Sequence, residues 1–238
     1  MSWKICEEDW SLMSKKLLLV GGGGHCKSVL DSVLASSDYS DIGIIDNEEN
    51  VGKNIFNIPI IGTDKDLERL YNNGYKYAFI SIGSIGNPDL RIKLFHRLVD
   101  SGYIIPNVID PSSTVSHYAK LAAGIFIGKK VVINSGVNIH KGVIINTASV
   151  IEHDCIIDEF AHIAPGAILC GNIHVGKRAH IGAGCSIRQQ IIIGSDTIIG
   201  LGSVVLNNIE DNVIAYGNPC KGVKKNECLC DSGSRSKS

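Results

Sequence analysis

Between Val115 and Val205 an aliphatic residue recurs at every sixth position: Val115, Leu121, Ile127, Ile133, Ile139, Ile145, Ile151, Ile157, Ile163, Leu169, Val175, Ile181, Ile187, Ile193, Ile199 and Val205. With about a third of residues aliphatic, so long an unbroken run arises by chance with a probability on the order of 10⁻⁸. A helix needs apolar spacing near 3.6 and a flat strand spacing of 2, so a period of six selects a short strand plus a turn, repeated. Four residues after each lattice position the residue is small or β-branched, as at Ser149, Cys155, Ala161, Ala167, Ala179, Cys185, Thr197 and Ser203. Such residues fit a narrow corner. Three units close a triangular coil of about eighteen residues, the hexapeptide pattern of a parallel β-helix. Residues 115–210 supply about five coils, and the unslipped lattice leaves no place for a large protruding loop.

The pattern before the lattice is different. Lys16–Val20 (KLLLV) runs into Gly21, Gly22, Gly23 and Gly24 and then into HCKSVLDSVLAS, where Val29, Leu30, Val33 and Leu34 mark a helix face. This predicts strand, glycine turn and helix. IGIIDN (Ile42 to Asn47) is a second strand ending in an acid, DKDLERLY a second helix, YAFISIG (Tyr77 to Gly83) a third strand, and DLRIKLFHRLVDSG a third helix closed by Gly102. Alternation of this kind builds a small Rossmann-like parallel sheet with ligands at the carboxyl ends of its strands. The expected organisation is an extension at 1–14, an α/β domain at 15–104, a connection at 105–114, the all-β helix at 115–210, a C-terminal segment at 211–225 and a disordered tail at 226–238.

Asp46 lies about where a ribose-binding acid follows a glycine turn. The third glycine of G-x-G-x-x-G is replaced by Cys26, and no Lys-Ser/Thr pair of a P-loop follows, which disfavours a dinucleotide. The N–H groups of Gly23 and Gly24 at a helix start still suit a diphosphate; the alternative is that the glycines serve only a tight turn.

Eight histidines, 25, 96, 117, 140, 153, 162, 174 and 180, are sorted by the lattice. Residues eighteen apart stack about 4.8 Å apart in neighbouring strands, so His162 lies below His180, and His153 lies below Gly171. His153 is two positions past the inward Ile151, on an outward part of the unit, between Glu152 and Asp154. An imidazole beside carboxylates suits a general base at neutral pH, and Gly171 leaves its N–H open to an oxyanion. His140 and His174 are read as structural.

Composition narrows the classes. Lys+Arg 23 against Asp+Glu 24 gives a net charge of -1, no footprint for nucleic acid. No apolar run is long enough to cross a bilayer, and MSWKICEEDW lacks a signal-peptide layout, so a cytoplasmic protein with no membrane partner is expected. Irregularly spaced cysteines read as free thiols, and the close pair Cys228 and Cys230 lacks a second ligand pair for zinc; no metal is expected.

These residues carry a resemblance. GGGGH (Gly21 to His25), the strand ending Asp46 and Asn47, ISIG with the following Arg91, the segment NTASVIEHDCIIDEFAHIAPGAILCGN (Asn146 to Asn172) and the closing GNPCKGVKK resemble the sialic acid O-acetyltransferase-like group of hexapeptide acyltransferases. Within it the chain is most similar to nucleotide-sugar N-acetyltransferases that make bacillosamine-type sugars. The resemblance implies a homotrimer of left-handed β-helices, each carrying residues 15–104 as a nucleotide-sugar-binding domain, with acetyl-CoA between neighbours. It implies His153 as catalytic base, Asp154 as its supporting acid where close relatives often have Glu, and His162 and the Gly171 N–H at the acetyl thioester. Ala183 and Leu201 match backbone contacts to the pantetheine or adenine. Gly23, Gly24, His25, Asp46, Asn47, Gly83 and Asn146 match substrate-binding positions. The expected reaction is acetyl transfer to the 4-amino group of a UDP-linked 4-amino-4,6-dideoxy sugar, without an acyl-enzyme. Three rivals are a sialic acid O-acetyltransferase, an enzyme for a GDP-linked amino sugar, and a non-catalytic β-helix scaffold with a nucleotide-sensing front domain.

Overall fold

The structure is a computed structural model, and it describes residues 15–226. The extension at 1–14, Cys6, Cys228, Cys230 and the tail from 227 onward lie outside the described residues.

The front domain is a five-stranded sheet: β1 (Lys16–Val20), β2 (Asp41–Ile45), β3 (Asn54–Ile55), β4 (Ile58–Gly62) and β5 (Tyr77–Ile80), in the order β3-β4-β2-β1-β5. All neighbours are parallel except β3 and β4. That hairpin is absent from the sequence reading, because its strands are short and its turn rests on Phe56 at φ 51 rather than on a glycine signal. Helix α1 (Gly24–Ser36) buries Cys26, Val29, Leu30 and Val33. This i, i+3, i+4, i+7 stripe takes Cys26 in place of Leu34, which is 46% exposed and faces solvent. Helices α2 (Leu67–Asn72) and α3 (Asp89–Asp100) cover the sheet, and Gly102 closes α3 at φ 82, a conformation that favours glycine.

The second domain is the left-handed parallel β-helix, with strands of two residues recurring every six. The ladder begins at β6 (Val108–Ile109), inside the stretch read as a connection, because Val108 and Ile109 already pair with Phe126 and Ile127. From β7 (Thr114–Val115) to β22 (Val204–Val205) every strand pairs in parallel with those eighteen residues away. From Ile127 to Val205 every lattice position is 1% exposed or less, and so are the corner residues Ser149, Cys155, Ala161, Ala167, Ala179, Cys185, Thr197 and Ser203. The three sheets are the sides of a prism. The first contains Val150–Ile151, the second Ile156–Ile157 and the third His162–Ile163. A hairpin, β23 (Val213–Gly217) and β24 (Cys220–Lys225), extends the third sheet. Asn226, assigned to the tail by sequence, is buried, and its Nδ2 donates to Asp196 O at 2.8 Å.

The front domain packs on the third sheet. Val108, Phe126 and Ile144 join the core of Leu17, Leu19, Val29 and Leu30, and Phe160 joins that of Leu18, Leu94 and Leu98. Polar ties flank this apolar contact: Arg91 donates to Gly142 O, Ser32 to Asp110 at 2.7 Å, and Lys129 pairs with Asp31 at 3.0 Å.

Candidate active site

The corner between the first and second sheets carries His153. Its Nδ1 lies 2.9 Å from Asp154 Oδ2. A carboxylate only accepts, so Nδ1–H donates to it, and the tautomer this fixes in a neutral ring has its lone pair on Nε2. Asp154 sits at φ 61, in the left-handed region that the corner requires and that Asp tolerates better than most residues. Gly136, one coil earlier, leaves the room that Asp154 Oδ1 occupies. On the other side, a Cβ at Gly171 would fall 2.5 Å from His153 Nε2, so only glycine lets the ring lie over that coil. Gly171 O accepts from Gln190 N at 3.0 Å, while its own N–H has no partner among the described residues. A free lone pair beside a free N–H is what proton removal and oxyanion stabilisation require.

Ala183 and Leu201 stack on a different corner, between the third and first sheets, and Leu201 is 82% exposed. Asn146 begins this same corner, its Oδ1 accepting from Thr147 N at 2.9 Å. The first sheet separates this column from His153 and Gly171. Cys155 is fully buried, its thiol pushed up to about 11 mainly by burial, which removes it as a nucleophile.

A separate cavity of about 370 Å³ opens at the carboxyl ends of the front sheet, lined by Gly21, Gly22, Gly23, Gly24, His25, Asp46, Ser81, Ile82 and Gly83. A side cavity of about 160 Å³ shares Gly21, Asp46 and Ile82 and adds Asn47, Asp64 and Leu90. The turn is built for close approach: a Cβ at Gly22 would come 2.7 Å from Asp46 Oδ2, and one at Gly83 would come 3.2 Å from His25 Cβ. Ser81 Oγ donates to Gly21 O at 2.6 Å and holds the first glycine in place.

Comparison with known proteins bears on both halves. Residues 16–98 match the family model described as the PglD N-terminal domain. PerB from Caulobacter crescentus, solved in complex with CoA and GDP-perosamine, is 34% identical, with a TM-score of 0.82 over 88% of this chain and 97% of that one. The acetyltransferase domain of PglB from Neisseria gonorrhoeae, solved with acetyl coenzyme A, is 33% identical, with a TM-score of 0.83 over 89% of this chain and all of that one. The chain belongs to the hexapeptide sugar N-acetyltransferases. WeeI from Acinetobacter baumannii, 23% identical with a TM-score of 0.73, shares the fold.

In this acetyltransferase the sequence-predicted residues fall into three places. His153, Asp154 and Gly171 share one corner; Asn146, Ala183 and Leu201 share another; Gly23, Gly24, His25, Asp46, Asn47 and Gly83 gather at the front cavities. His162 joins none of them directly. It lies in the third sheet under the front domain, 8% exposed, with Nδ1–H donating to Ser84 O at 2.8 Å and its ring 4.8 Å from that of His180. Sequence spacing predicted the His162–His180 stack, but the front domain's cover over it is a tertiary contact that no spacing reveals. The sequence pattern assigns Arg91 no role. It is 4% exposed, donates to Ser84 Oγ at 2.9 Å, and ties the loop after Gly83 to the β-helix.

This junction titrates. Burial and nearby Arg91 push His25 down to about 4; burial, His180, Arg91 and His25 push His162 down to about 3; burial pushes His180 down to about 4. The His25 Nε2, His162 Nε2 and His180 Nδ1 atoms are buried without hydrogen-bond partners among the described residues. Each histidine is neutral when folded and gains a proton near pH 6.5 when unfolded. The stability they contribute is therefore full above about pH 6.5 and is lost as pH falls toward their folded values. Thermal melts should show the midpoint falling between pH 7 and 5, and His162→Gln should flatten that fall; a wild-type midpoint independent of pH there would contradict the assignment.

Among the described residues no group of three or more His, Cys, Asp or Glu side chains is arranged to hold a metal ion. No described helix is long and apolar enough to cross a membrane.

Proposed function

We propose that this enzyme transfers acetyl from acetyl-CoA to the 4-amino group of a nucleotide-linked 4-amino-4,6-dideoxy sugar, with His153 as general base. The observation that carries the reading is the His153 corner: Nδ1 engaged by Asp154, Nε2 free, and a side-chain-free Gly171 one coil away. The amine lone pair attacks the thioester carbonyl, and the Gly171 N–H stabilises the oxyanion. His153 Nε2 takes the amine proton, and the tetrahedral intermediate collapses with loss of the CoA thiolate, which receives that proton. No acyl-enzyme is needed. Ala183 and Leu201 are assigned to the acetyl-CoA side of the reaction, and the front cavities to the nucleotide sugar; Asn146, which the resemblance matches to the substrate, stands on the Ala183 corner rather than at those cavities.

The front domain covers the third sheet, whereas His153 stands on the corner where the other two sheets meet. An acceptor in a chain's own front cavity is thus separated from that chain's own base by the body of the prism. This supports a homotrimer in which the acceptor held by one chain meets the His153 corner of the next, and in which the neighbour's wall excludes water.

UDP- and GDP-linked acceptors are the two to compare: the bacillosamine-type resemblance favours UDP, and the relative solved with GDP-perosamine favours GDP. Thiol release from acetyl-CoA across UDP- and GDP-amino sugars and free sialic acid separates these readings, and no release with any acceptor would leave only the scaffold. Asp46→Ala should weaken acceptor binding by roughly 1 to 3 kcal/mol, the penalty for unpaired polar partners, and leave acetyl-CoA binding unchanged. Calorimetry with each ligand separately measures this, and equal loss for both ligands would take the acceptor out of the front domain.

A further inference from the structure

The acid of the acceptor cavity is held by a short polar relay. Asn50, half-buried at the end of the 3₁₀ turn Glu48–Asn50, donates from Nδ2 to Asp46 Oδ2 at 3.0 Å. Lys53 Nζ donates to Asn50 Oδ1 at 2.9 Å. The direction of this relay is fixed by chemistry, since an ammonium only donates and a carboxylate only accepts. Lys53 therefore holds the amide oxygen, and the amide NH₂ is left to face Asp46.

The segment that carries the relay is itself anchored. Asn50 N donates to Asn47 O at 2.9 Å, Gly52 N to Ile60 O at 2.9 Å, and Ile60 N returns to Lys53 O at 2.8 Å, so β4 braces the loop from both directions. On its opposite side Asp46 Oδ2 rests against Gly22, where a Cβ would come within 2.7 Å. Oδ2 thus has Asn50 and the glycine turn beside it, and among the described residues no hydrogen bond engages Oδ1.

Resting on the assignment of the front cavity to the acceptor, we infer that Asn50, oriented by Lys53, is a positioning residue for nucleotide-sugar recognition through Asp46. Asn50 touches no reacting atom, and its effect is confined to the acceptor. Asn50→Ala should raise the acceptor KM about tenfold, the scale of one hydrogen bond to a charged group, with kcat and the acetyl-CoA KM within about twofold of wild type. The isosteric Asn50→Asp keeps the bond to Lys53 and the shape of the turn but faces Asp46 with a second acceptor, so it should raise the acceptor KM at least as much. Lys53→Met, which frees the amide to rotate, should give a smaller rise in the same parameter.

The experiment is steady-state kinetics with both substrates varied on the full chain, alongside thermal melts. A purely structural Asn50 would lower the melting midpoint and disturb both KM values together, and that result would overturn the inference. So would a wild-type acceptor KM in Asn50→Asp while Asp46→Ala is impaired. Asp46→Ala with an unchanged acceptor KM would instead overturn the assignment of the cavity itself.

Discussion

His153→Ala should lower turnover by about 10²-fold or more, the usual scale for losing a general base, while acetyl-CoA still binds and the fold is intact. The side chain is 58% exposed and, among the described residues, bonded only to its neighbour Asp154, so its removal takes nothing from the core. Circular dichroism and the melting midpoint should match wild type, and isothermal calorimetry should return an unchanged acetyl-CoA affinity. Turnover within about threefold of wild type would exclude the assignment. Gly171→Ala is the companion test. Its methyl would enter the space of His153 Nε2 at 2.5 Å, displacing the base without deleting it. Turnover should fall although every titratable group of the corner is still present.

The second large effect is a recovery. His153→Ala chains have an intact acceptor cavity, and Asp46→Ala chains have an intact base. If the acceptor of one chain meets the corner of the next, co-assembled mixtures rebuild working sites from two defective parents. With equal amounts and random assembly about a quarter of the sites in a cyclic oligomer should combine a good cavity with a good base. At acceptor concentrations well below KM this exceeds the sum of the parents several-fold. Two affinity tags, purified in tandem, select mixed assemblies. Activity no higher than the parental sum would mean that cavity and base work within one chain, contrary to a front domain docked on the sheet opposite the His153 corner.

The β-helix was legible because its constraint is local and periodic. Each coil buries the same positions, so Ile151, Leu169 and Ile187 announce their stacking by spacing alone. The same arithmetic placed His153 against Gly171, since a corner residue has only one neighbour in the next coil. The front domain was read more coarsely. The strand-turn-helix at Gly21 to Gly24 is a strong signal, whereas β3 and β4 carry two and five residues with no glycine at their turn. Least legible was what the two domains do together. Phe126, Ile144 and His162 each precede an inward lattice position and so point out of the prism, yet docking buries them. Arg91 and Ser84 acquire partners only through that docking, as Asn50 acquires Asp46 only through the fold of its loop.

The shared apolar contact also has a consequence for synthesis. On a ribosome the front domain emerges first, and its sheet and helices form from residues that are all present by Tyr103. Its underside remains bare, because Val108, Phe126, Ile144 and Phe160, which complete its two cores, are made afterwards and on three successive coils. The nascent chain thus passes through a stretch about fifty residues long in which the front domain's apolar face has no cover, the kind of exposed surface that makes folding intermediates prone to aggregation. Each new coil then covers part of that face while using the previous coil as its template, so the β-helix both grows from the front domain and seals it.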